Sequence, residues 1–362
     1  MTERGPIRVL VIDDSAFSRR TITRMLESSP LVEVIDSARD GEEALRKTFE
    51  LQPDLVTLDL EMPRMDGFTY LRLVMSKRPT PIMVISGRRD DQDVFKALDL
   101  GAVDFIAKPS PRATPELESI QQELIRKVHA LRELRIDKVR ERIDAPPSMA
   151  REPVSDPRVQ APAAVAIGSS TGGPAALMQI FGAFVDPPPF AFLVSQHMPG
   201  GFTQGFADRL DRLTPMRARE ACEGDEPEPG LVLVSPGGSH LVVEARRGRP
   251  VVRIEPGGRE DKYVPSVDRL FQSAAKCWGP DLLAVVLTGM GDDGRRGVRA
   301  VEASGGQIVA ESEETAVIFG MPLQAIRTGV VDAVLPLLEI GPAIQSGLPS
   351  TRARSDRQGE RG

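Results

Sequence analysis

The sequence predicts an α/β protein with two domains, each built on a mostly parallel β-sheet. Three observations predict this fold class. Short apolar runs alternate with helix-compatible segments along most of the chain, as in parallel sheets covered by helices. Residues 145–162 contain five prolines and no periodicity, which is typical of a flexible hinge. The 362 residues, of which 41% are hydrophobic, suffice for two separate cores.

The domain boundaries follow from these patterns. The segment 114–144 is amphipathic and helical in character, and His129 within it is expected to be solvated or packed rather than catalytic. We predict a first domain at residues 1–130, a helical and then proline-rich linker at 131–160, a second domain at 161–347 and a disordered tail at 348–362.

Five apolar runs predict the strands of the first domain. Each run is separated from the next by a segment that suits a helix, which indicates a doubly wound parallel sheet covered on both faces. In such a sheet, binding and catalytic residues lie at the carboxyl ends of the strands. The predicted strands are residues 8–12, 32–35, 55–58, 82–85 and 104–107.

Polar residues follow four of these strands. Asp13 and Asp14 follow the first strand, Asp59 the third, Ser86 the fourth and Lys108 the fifth. Helix caps and acidic turns account for such residues singly, but not for five of them at four strand ends. Converging carboxylates repel one another, and Mg²⁺ relieves this because it prefers carboxylate and water oxygens. A lysine and a hydroxyl beside the metal suit an incoming phosphoryl group.

Together with Met62-Pro63 and Asp66-Gly67, this constellation resembles the receiver domain of bacterial response regulators over residues 7–130. The resemblance implies a flavodoxin-like (βα)5 fold and phosphorylation of Asp59 by a partner histidine kinase. It also implies a Mg²⁺ site and a phosphorylation switch. The metal ligands that it implies are Asp13, Asp14, Asp59 and the backbone carbonyl of Glu61. The switch residues that it implies are Ser86, Lys108 and Phe105, although Phe105 fits a core position equally well.

The second domain shows the same alternation of strands and helices. An antiparallel insertion with turn signals lies at residues 240–254, between the third and fourth strands. We expect a doubly wound, mostly parallel α/β domain with this β insertion. The predicted strands are residues 163–167, 190–194, 231–234, 282–288, 307–310 and 331–334.

The first of three polar turns in this domain follows the strand at 163–167. Gly168-x-Ser170-x-Gly172 between a strand and a helix predicts a nucleophile elbow, in which glycines tolerate strained dihedral angles and the serine hydroxyl projects from the sheet. An ordinary glycine-rich loop between a strand and a helix has the same composition, so this turn does not decide the function alone.

The second polar turn carries a histidine. His197 lies just beyond the strand at 190–194, where it suits a general base. The chain has three histidines, and His240 begins an apolar strand instead. A lone histidine is often structural, so His197 depends on its neighbours for its assignment.

The third polar turn, after the strand at 282–288, supports two hypotheses. Gly289-x-Gly291-x-x-Gly294 followed by Glu311 fits a dinucleotide-binding turn. Asp292 and Asp293 oppose this, because a pyrophosphate on the turn would face two carboxylates. The same carboxylates suit an imidazole whose Nδ1–H they accept, and the glycines leave backbone N–H groups free for an oxyanion.

The candidate serine, histidine and aspartate follow one another in that order along the chain. This differs from α/β-hydrolases, in which the order is serine, aspartate, histidine. Residues 161–340 resemble the catalytic domain of the CheB family of chemotaxis protein-glutamate methylesterases. The motifs that carry the resemblance are IGSSTGGP, QHMPGGF, SPGGSHL, PSVDRLF, LTGMGDDG and VFGMP.

The CheB resemblance implies Ser170 as nucleophile, His197 as base then acid, and Asp293 as the group that orients His197. The backbone N–H of Met290 would bind the oxyanion, with Thr171 in support. It further implies a phosphorylation-activated hydrolase without a cofactor in the catalytic domain. Its substrates would be glutamate methyl esters, and glutamines, on methyl-accepting receptors. The alternatives are a receiver-regulated dinucleotide-binding module and a non-catalytic docking module.

Two positions depart from the family pattern. Ser169 stands where the family usually has alanine, and the following Thr171-Gly172-Gly173 fixes the register in favour of Ser170. Tyr263-Val264 stands where the family commonly has histidine or arginine before PSVD.

Charge and hydropathy exclude several other classes. The net charge of −6 argues against a duplex nucleic-acid binder, which needs a basic face. No apolar run is long enough for a membrane span, and the first residues lack a signal peptide, so we expect a cytoplasmic location without membrane insertion. Cys222 and Cys277 have no metal or disulfide spacing.

Overall fold

In the computed structural model the chain forms two compact units, Met1–Ala145 and Pro146–Gly362. The structure describes residues 5–87, 91–108, 114–130, 134, 136–144, 162–258 and 260–348. Most of the predicted proline-rich linker, residues 145–161, and the predicted tail from residue 349 lie outside the described residues. Within the described part, no helix is both long and apolar enough to cross a bilayer.

The first unit contains a five-stranded parallel sheet in the order β2-β1-β3-β4-β5, as the sequence predicts. Side chains of Ser15, Asp40 and Asp66 cap the first three helices by accepting a backbone N–H from the first turn. The elements are β1 (Ile7–Ile12), α1 (Ala16–Glu27), β2 (Val32–Ala38), α2 (Gly41–Leu51), β3 (Leu55–Leu58), α3 (Gly67–Lys77), β4 (Ile82–Ser86), α4 (Asp91–Asp99), β5 (Asp104–Ala107), α5 (Thr114–Ala130) and α6 (Ile136–Asp144).

The second unit contains a seven-stranded sheet in the order β14-β13-β12-β6-β7-β9-β8 and a separate antiparallel hairpin, β10-β11. All neighbouring strands of the larger sheet run parallel. The elements are β6 (Ala164–Ser169), α7 (Gly173–Gly182), β7 (Ala191–Gln196), α8 (Thr203–Leu213), β8 (Arg217–Glu220), β9 (Leu231–Val234), β10 (Ser239–Arg246), β11 (Arg249–Pro256), α9 (Val267–Trp278), β12 (Leu282–Val286), α10 (Arg295–Ala303), β13 (Gln307–Glu311), α11 (Met321–Ile326), β14 (Ala333–Leu335) and α12 (Leu337–Ser346).

One strand of the second unit was missed, and several strand ends differ from the prediction. The sequence analysis missed β8, because this edge strand reads Arg-Ala-Arg-Glu and buries only Ala218. β12 ends at Val286 rather than at residue 288, since Leu287 and Thr288 already belong to the polar turn. β14 begins at Ala333, two residues later than expected.

Helix α9 packs closely over the central strand β6. Val267 and Phe271 of α9 lie in one buried cluster with Ala164 and Ala166 of β6. A Cβ at Gly168 would lie 2.2 Å from Cγ1 of Val267, so only glycine admits this approach. The N-terminus of α9 is thereby fixed beside the carboxyl end of β6. Burial of each such large apolar side chain contributes roughly 1.5–3 kcal/mol to folding.

His129 is confirmed as a packing residue. Its Nε2 lies 2.8 Å from the Ser29 hydroxyl oxygen, in a hydrogen bond between α5 and the loop after α1. The predicted helical segment at 114–144 consists of α5 and α6, with residues 131–133 and 135 outside the described part.

Candidate functional sites

The fold brings the three polar turns of the second unit to one edge of the sheet. They follow β12, β6 and β7, which are adjacent strands. The Ser170 N–H donates to the carbonyl of Thr288 at 3.0 Å, and the His197 N–H donates to the carbonyl of Ser169 at 3.0 Å. Residues far apart in the sequence therefore begin their turns side by side.

His197 and Asp293 form a buried hydrogen bond of 2.8 Å between imidazole Nε2 and carboxylate Oδ2. The carboxylate sits at the N-terminus of α9, where it accepts the backbone N–H groups of Val267 and Asp268 at 2.8 and 2.9 Å. The Ser266 hydroxyl and the Gly294 N–H also donate to it. Burial alone would raise the pKa of Asp293, but the His197 contact and the helix N–H groups hold it below its ordinary value.

The ring atom in this contact differs from the expected one. We expected Asp293 to accept from Nδ1–H, and that expectation is wrong, because the carboxylate contacts Nε2. The reason is that α9 holds Asp293 at the far end of the imidazole. The nitrogen left for a proton transfer to a serine is therefore Nδ1.

Ser170 lies at the start of the turn after β6 and is 7% exposed. Its carbonyl accepts a hydrogen bond from Gln196 Nε2 at 2.9 Å, and its hydroxyl makes no hydrogen bond with any described residue. The left-handed residue of the turn is Gly172, at φ 78°, and Ser170 is not in that region, which agrees with the expectation that glycines carry the strained dihedral angles. Gly168 and Gly173 serve close packing, not backbone strain.

The neighbouring hydroxyl, Ser169, is committed to the protein interior. It is fully buried, and its Oγ donates to Gln196 Oε1 at 2.6 Å. The same amide donates from Nε2 to the carbonyls of Ser170 and His197. Gln196 thus joins both turns, and a Cβ at Gly173 would lie 2.0 Å from its Oε1. Sequence analysis missed Gln196, although a polar residue ending a buried strand is a visible signal.

The turn after β12 lies against the serine turn. A Cβ at Gly289 would lie 2.8 Å from Cβ of Ser170, so the two turns are in contact. The Met290 N–H donates to no described residue. Thr171 is buried, and its carbonyl accepts the Thr288 hydroxyl at 3.0 Å, which ties the serine turn to this one. The arrangement suits an oxyanion at Met290.

Glu311 does not fit the ribose contact that a dinucleotide site needs. It is fully buried, and its carboxylate accepts the Thr288 N–H at 2.7 Å and the Thr315 hydroxyl at 3.0 Å. The Gly294 N–H, at the N-terminus of α10, is taken by Asp293. Neither Glu311 nor the Gly294 N–H is therefore available for the contacts that a dinucleotide would make with them.

The buried His240 forms a second imidazole–carboxylate pair, with the partly exposed Asp261. Its Nε2 lies 3.0 Å from Asp261 Oδ2, and its Nδ1 accepts the Ser266 N–H at 3.1 Å. The Gly258 N–H and the His240 contact lower the pKa of Asp261 to about 2. His240 therefore supports Ser266, the N-cap of α9, and has no nitrogen left for a reaction.

In the first unit, carboxylate oxygens of Asp13, Asp14 and Asp59 lie within 4.8 Å of one another. Lys108 Nζ is 2.6 Å from Asp59 Oδ2 and 3.1 Å from Asp13 Oδ2, the latter at an angle that completes an ion pair but no hydrogen bond. Burial raises the pKa of Asp59 despite Lys108, and burial together with the Asp59 charge raises that of Asp13. The buried Asp13 Oδ2 without a hydrogen bond and the excess of carboxylates fit a hard divalent cation.

The other predicted residues of the first unit lie at differing distances from this cluster. The Glu61 N–H donates to Asp59 Oδ1 at 3.3 Å, which places the Glu61 backbone beside it. The Ser86 hydroxyl is 3.5 Å from the Gly87 carbonyl. Phe105 is buried and lies edge-on to Phe95, so its ring occupies the core in this structure.

Two family models match the chain: CheB methylesterase over residues 165–344 and response regulator receiver domain over residues 9–118. The protein-glutamate methylesterase/protein-glutamine glutaminase 3 of Geobacter sulfurreducens is 52% identical over 350 residues, 91% of this chain and 94% of the relative. Protein 1 of that name from Myxococcus xanthus is 51% identical, covering 95% and 98%. The crystal structure of the Thermotoga maritima CheB methylesterase catalytic domain is 39% identical, covers 51% and 98%, and has a TM-score of 0.49.

Proposed function

The chain belongs to the CheB methylesterase family, and from this premise we propose that it is a phosphorylation-activated hydrolase of glutamate methyl esters on receptor proteins. The relatives' names include protein-glutamine glutaminase, so the proposal extends to deamidation of glutamine side chains. The observation that carries it is the buried bond between His197 and Asp293, one strand away from Ser170 and its uncommitted hydroxyl.

We propose the following chemistry for the site. Ser170 Oγ attacks the ester carbonyl of the substrate while His197 Nδ1 accepts the hydroxyl proton. The tetrahedral oxyanion is stabilised by the Met290 N–H, and Asp293 stabilises the imidazolium that forms. The proton then passes from Nδ1 to the leaving methoxide, and methanol departs. Water repeats the sequence on the acyl-enzyme, releasing glutamate and restoring Ser170; with glutamine, ammonia leaves in place of methanol.

For the first unit we propose that Asp59 accepts a phosphoryl group from a histidine kinase of the chemotaxis type. Asp13, Asp14, Asp59 and the Glu61 carbonyl are the residues that would hold Mg²⁺, which neutralises phosphoryl charge when it is bound. Lys108 already contacts Asp59 and is available to a phosphoryl oxygen. We propose Ser86 as a hydrogen-bond donor to that group and Phe105 as the aromatic residue of the switch.

The test of this proposal measures methanol released from methylated receptor membranes, with and without a small-molecule phosphodonor. Ser170→Ala should lower release by at least about 10³-fold, because the nucleophile is lost. Ser169→Ala is the matched control, and its activity should stay within about tenfold of wild type, since only a supporting hydrogen bond is removed. Wild-type turnover in Ser170→Ala would contradict the assignment. Because the kinase and the receptor tails are cytoplasmic partners, we propose that the protein works in that compartment.

A further inference from the structure

Tyr263 lies face to face with the candidate general base. Its ring and the imidazole of His197 have centroids 5.0 Å apart and planes inclined by 7°. Tyr263 is half-buried and lies just before Ser266, the N-cap of α9. It is also one of the two positions at which the sequence departs from the family pattern, and the chemistry proposed above gives it no part.

The Tyr263 ring is anchored at its far end by the turn that carries Asp293. Its hydroxyl donates to Asp292 Oδ1 at 2.9 Å and accepts the Asp292 N–H at 3.3 Å. A Cβ at Gly291 would lie 2.1 Å from the hydroxyl oxygen, so the glycine makes room for the phenol. Burial raises the pKa of Tyr263, which keeps the hydroxyl protonated as a donor. The stacked ring is therefore a fixed surface.

The imidazole needs such a surface because its single side-chain hydrogen bond does not fix its plane. In a histidine, the axis of rotation about χ2 passes between Cε1 and Nε2, so Nε2 lies closer to that axis than Nδ1 does. The bond to Asp293 holds Nε2, so a rotation about χ2 displaces Nδ1 farther than it displaces the bonded Nε2. A ring stacked on one face of the imidazole opposes this rotation.

We propose that Tyr263 is a positioning residue that fixes the plane of His197 and so directs Nδ1 toward Ser170. The proposal rests on the hydrolase function proposed above and adds to it the residue that sets the geometry of proton transfer. Tyr263 acts through His197 by its ring face, and the hydroxyl contributes only by anchoring the ring to Asp292.

The kinetic test compares Tyr263→Leu, which removes the ring, with Tyr263→Phe, which keeps it. We expect kcat for methanol release to fall about tenfold in the leucine variant, the factor that corresponds to loss of an aromatic pair, with KM unchanged within about twofold. The phenylalanine variant should keep kcat within about threefold of wild type, because the stack remains. Lys276→Gln is the control, since Lys276 is exposed in the last turn of α9, far along the helix from Tyr263 and Ser266.

A spectroscopic test detects the stacking of Tyr263 on His197 without measuring catalysis. The chain has three histidines, so imidazole NMR signals of His197 are assignable by comparison with His197→Gln. Loss of the ring current in Tyr263→Leu should move the His197 signals and leave those of His129 and His240 in place. If the leucine variant does not fold, Tyr263→Met replaces it in both measurements.

The proposal would be overturned by a folded leucine or methionine variant with wild-type kcat, or by unmoved His197 signals. Equal losses of kcat in the leucine and phenylalanine variants would also overturn it, because they would assign the effect to the hydroxyl. These failures differ from failure of the hydrolase function, in which the wild-type protein itself releases no methanol.

Discussion

Each of the two polar clusters of this protein contains a buried carboxylate, but the two carboxylates differ in the partners that stabilise their negative charge. Asp293 and Asp13 are 2% and 0% exposed, yet the pKa of Asp293 is lowered and that of Asp13 is raised. Asp293 accepts hydrogen bonds from an imidazole, a hydroxyl and three backbone N–H groups. Asp13 has one backbone N–H and shares Lys108 with Asp59.

This difference shows what each site still requires. At Asp293 the fold itself supplies the donors, through the N-terminus of α9, so the charged carboxylate is stable without any added group. At Asp13 and Asp59 the described residues leave an excess of negative charge, and a cation is the group that offsets it. The charge of Asp293 is thus balanced by the described residues, whereas that of Asp13 and Asp59 is not.

The largest effect on activity is expected from Asp293→Asn, which removes the negative charge that the N-terminus of α9 stabilises. The amide no longer stabilises an imidazolium and favours the wrong tautomer, so kcat should fall by about 10³- to 10⁴-fold. Asp292→Asn is the matched control next to it, and because Asp292 reaches His197 only through Tyr263, the loss there should be below about tenfold. Methanol release measures both, and equal losses in the two variants would contradict the assignment of Asp293.

The second-largest effect is expected at Asp59, in the carboxylate cluster of the first unit. Asp59→Asn should remove the stimulation of methanol release by a phosphodonor and leave the basal rate unchanged, because the asparagine cannot accept the phosphoryl group. The stimulation at stake is about 5- to 150-fold, the range that coupling between two sites commonly supplies. A variant that the phosphodonor still stimulates would show that the acceptor is another residue.

A smaller effect is expected on stability when a cation is added. Mg²⁺ at a hundred times its dissociation constant should stabilise the first unit by about 2.7 kcal/mol, since it binds the folded cluster alone. Thermal melting of the wild-type protein in MgCl₂, compared with Asp13→Asn, measures the shift. An equal rise in Tm in both proteins would show that the cation binds elsewhere.

The smallest effect concerns pH in the absence of Mg²⁺. Because the folded-state pKa of Asp13 is raised above the ordinary value of 3.8, its stabilising contribution is complete below that value and is lost as the pH rises through the folded pKa. The Asp13→Asn variant has no such loss, so its Tm at pH 7 should be slightly higher than that of the wild type. At pH 3.5 the difference between the two Tm values should be smaller. A higher Tm for the wild type than for Asp13→Asn at pH 7 in a chelator would contradict this interpretation.

The periodicity of the sequence was sufficient for most of the fold. All five strands of the first sheet and the hairpin of the second unit were predicted, because buried parallel strands and turns have distinct local compositions. The edge strand β8 was missed for the converse reason, since an edge strand with polar side chains has no apolar run. The boundaries of the domains stay predictions, and so do the roles of Ser170, His197 and Asp293, which the experiments above test.

The sequence by itself determined which residue types stand at the carboxyl ends of the strands, because that depends on patterns a few residues long. Only the tertiary structure decided how those residues differ from their neighbours. It directs Ser169 into a bond with Gln196 and leaves Ser170 uncommitted, and it gives Asp293 the N-terminus of α9. It also places Nε2 rather than Nδ1 of His197 against that carboxylate. The physical reason is that hydrogen-bond partners and stacked rings come from segments distant in the chain, which meet only once the sheet and its helices have packed.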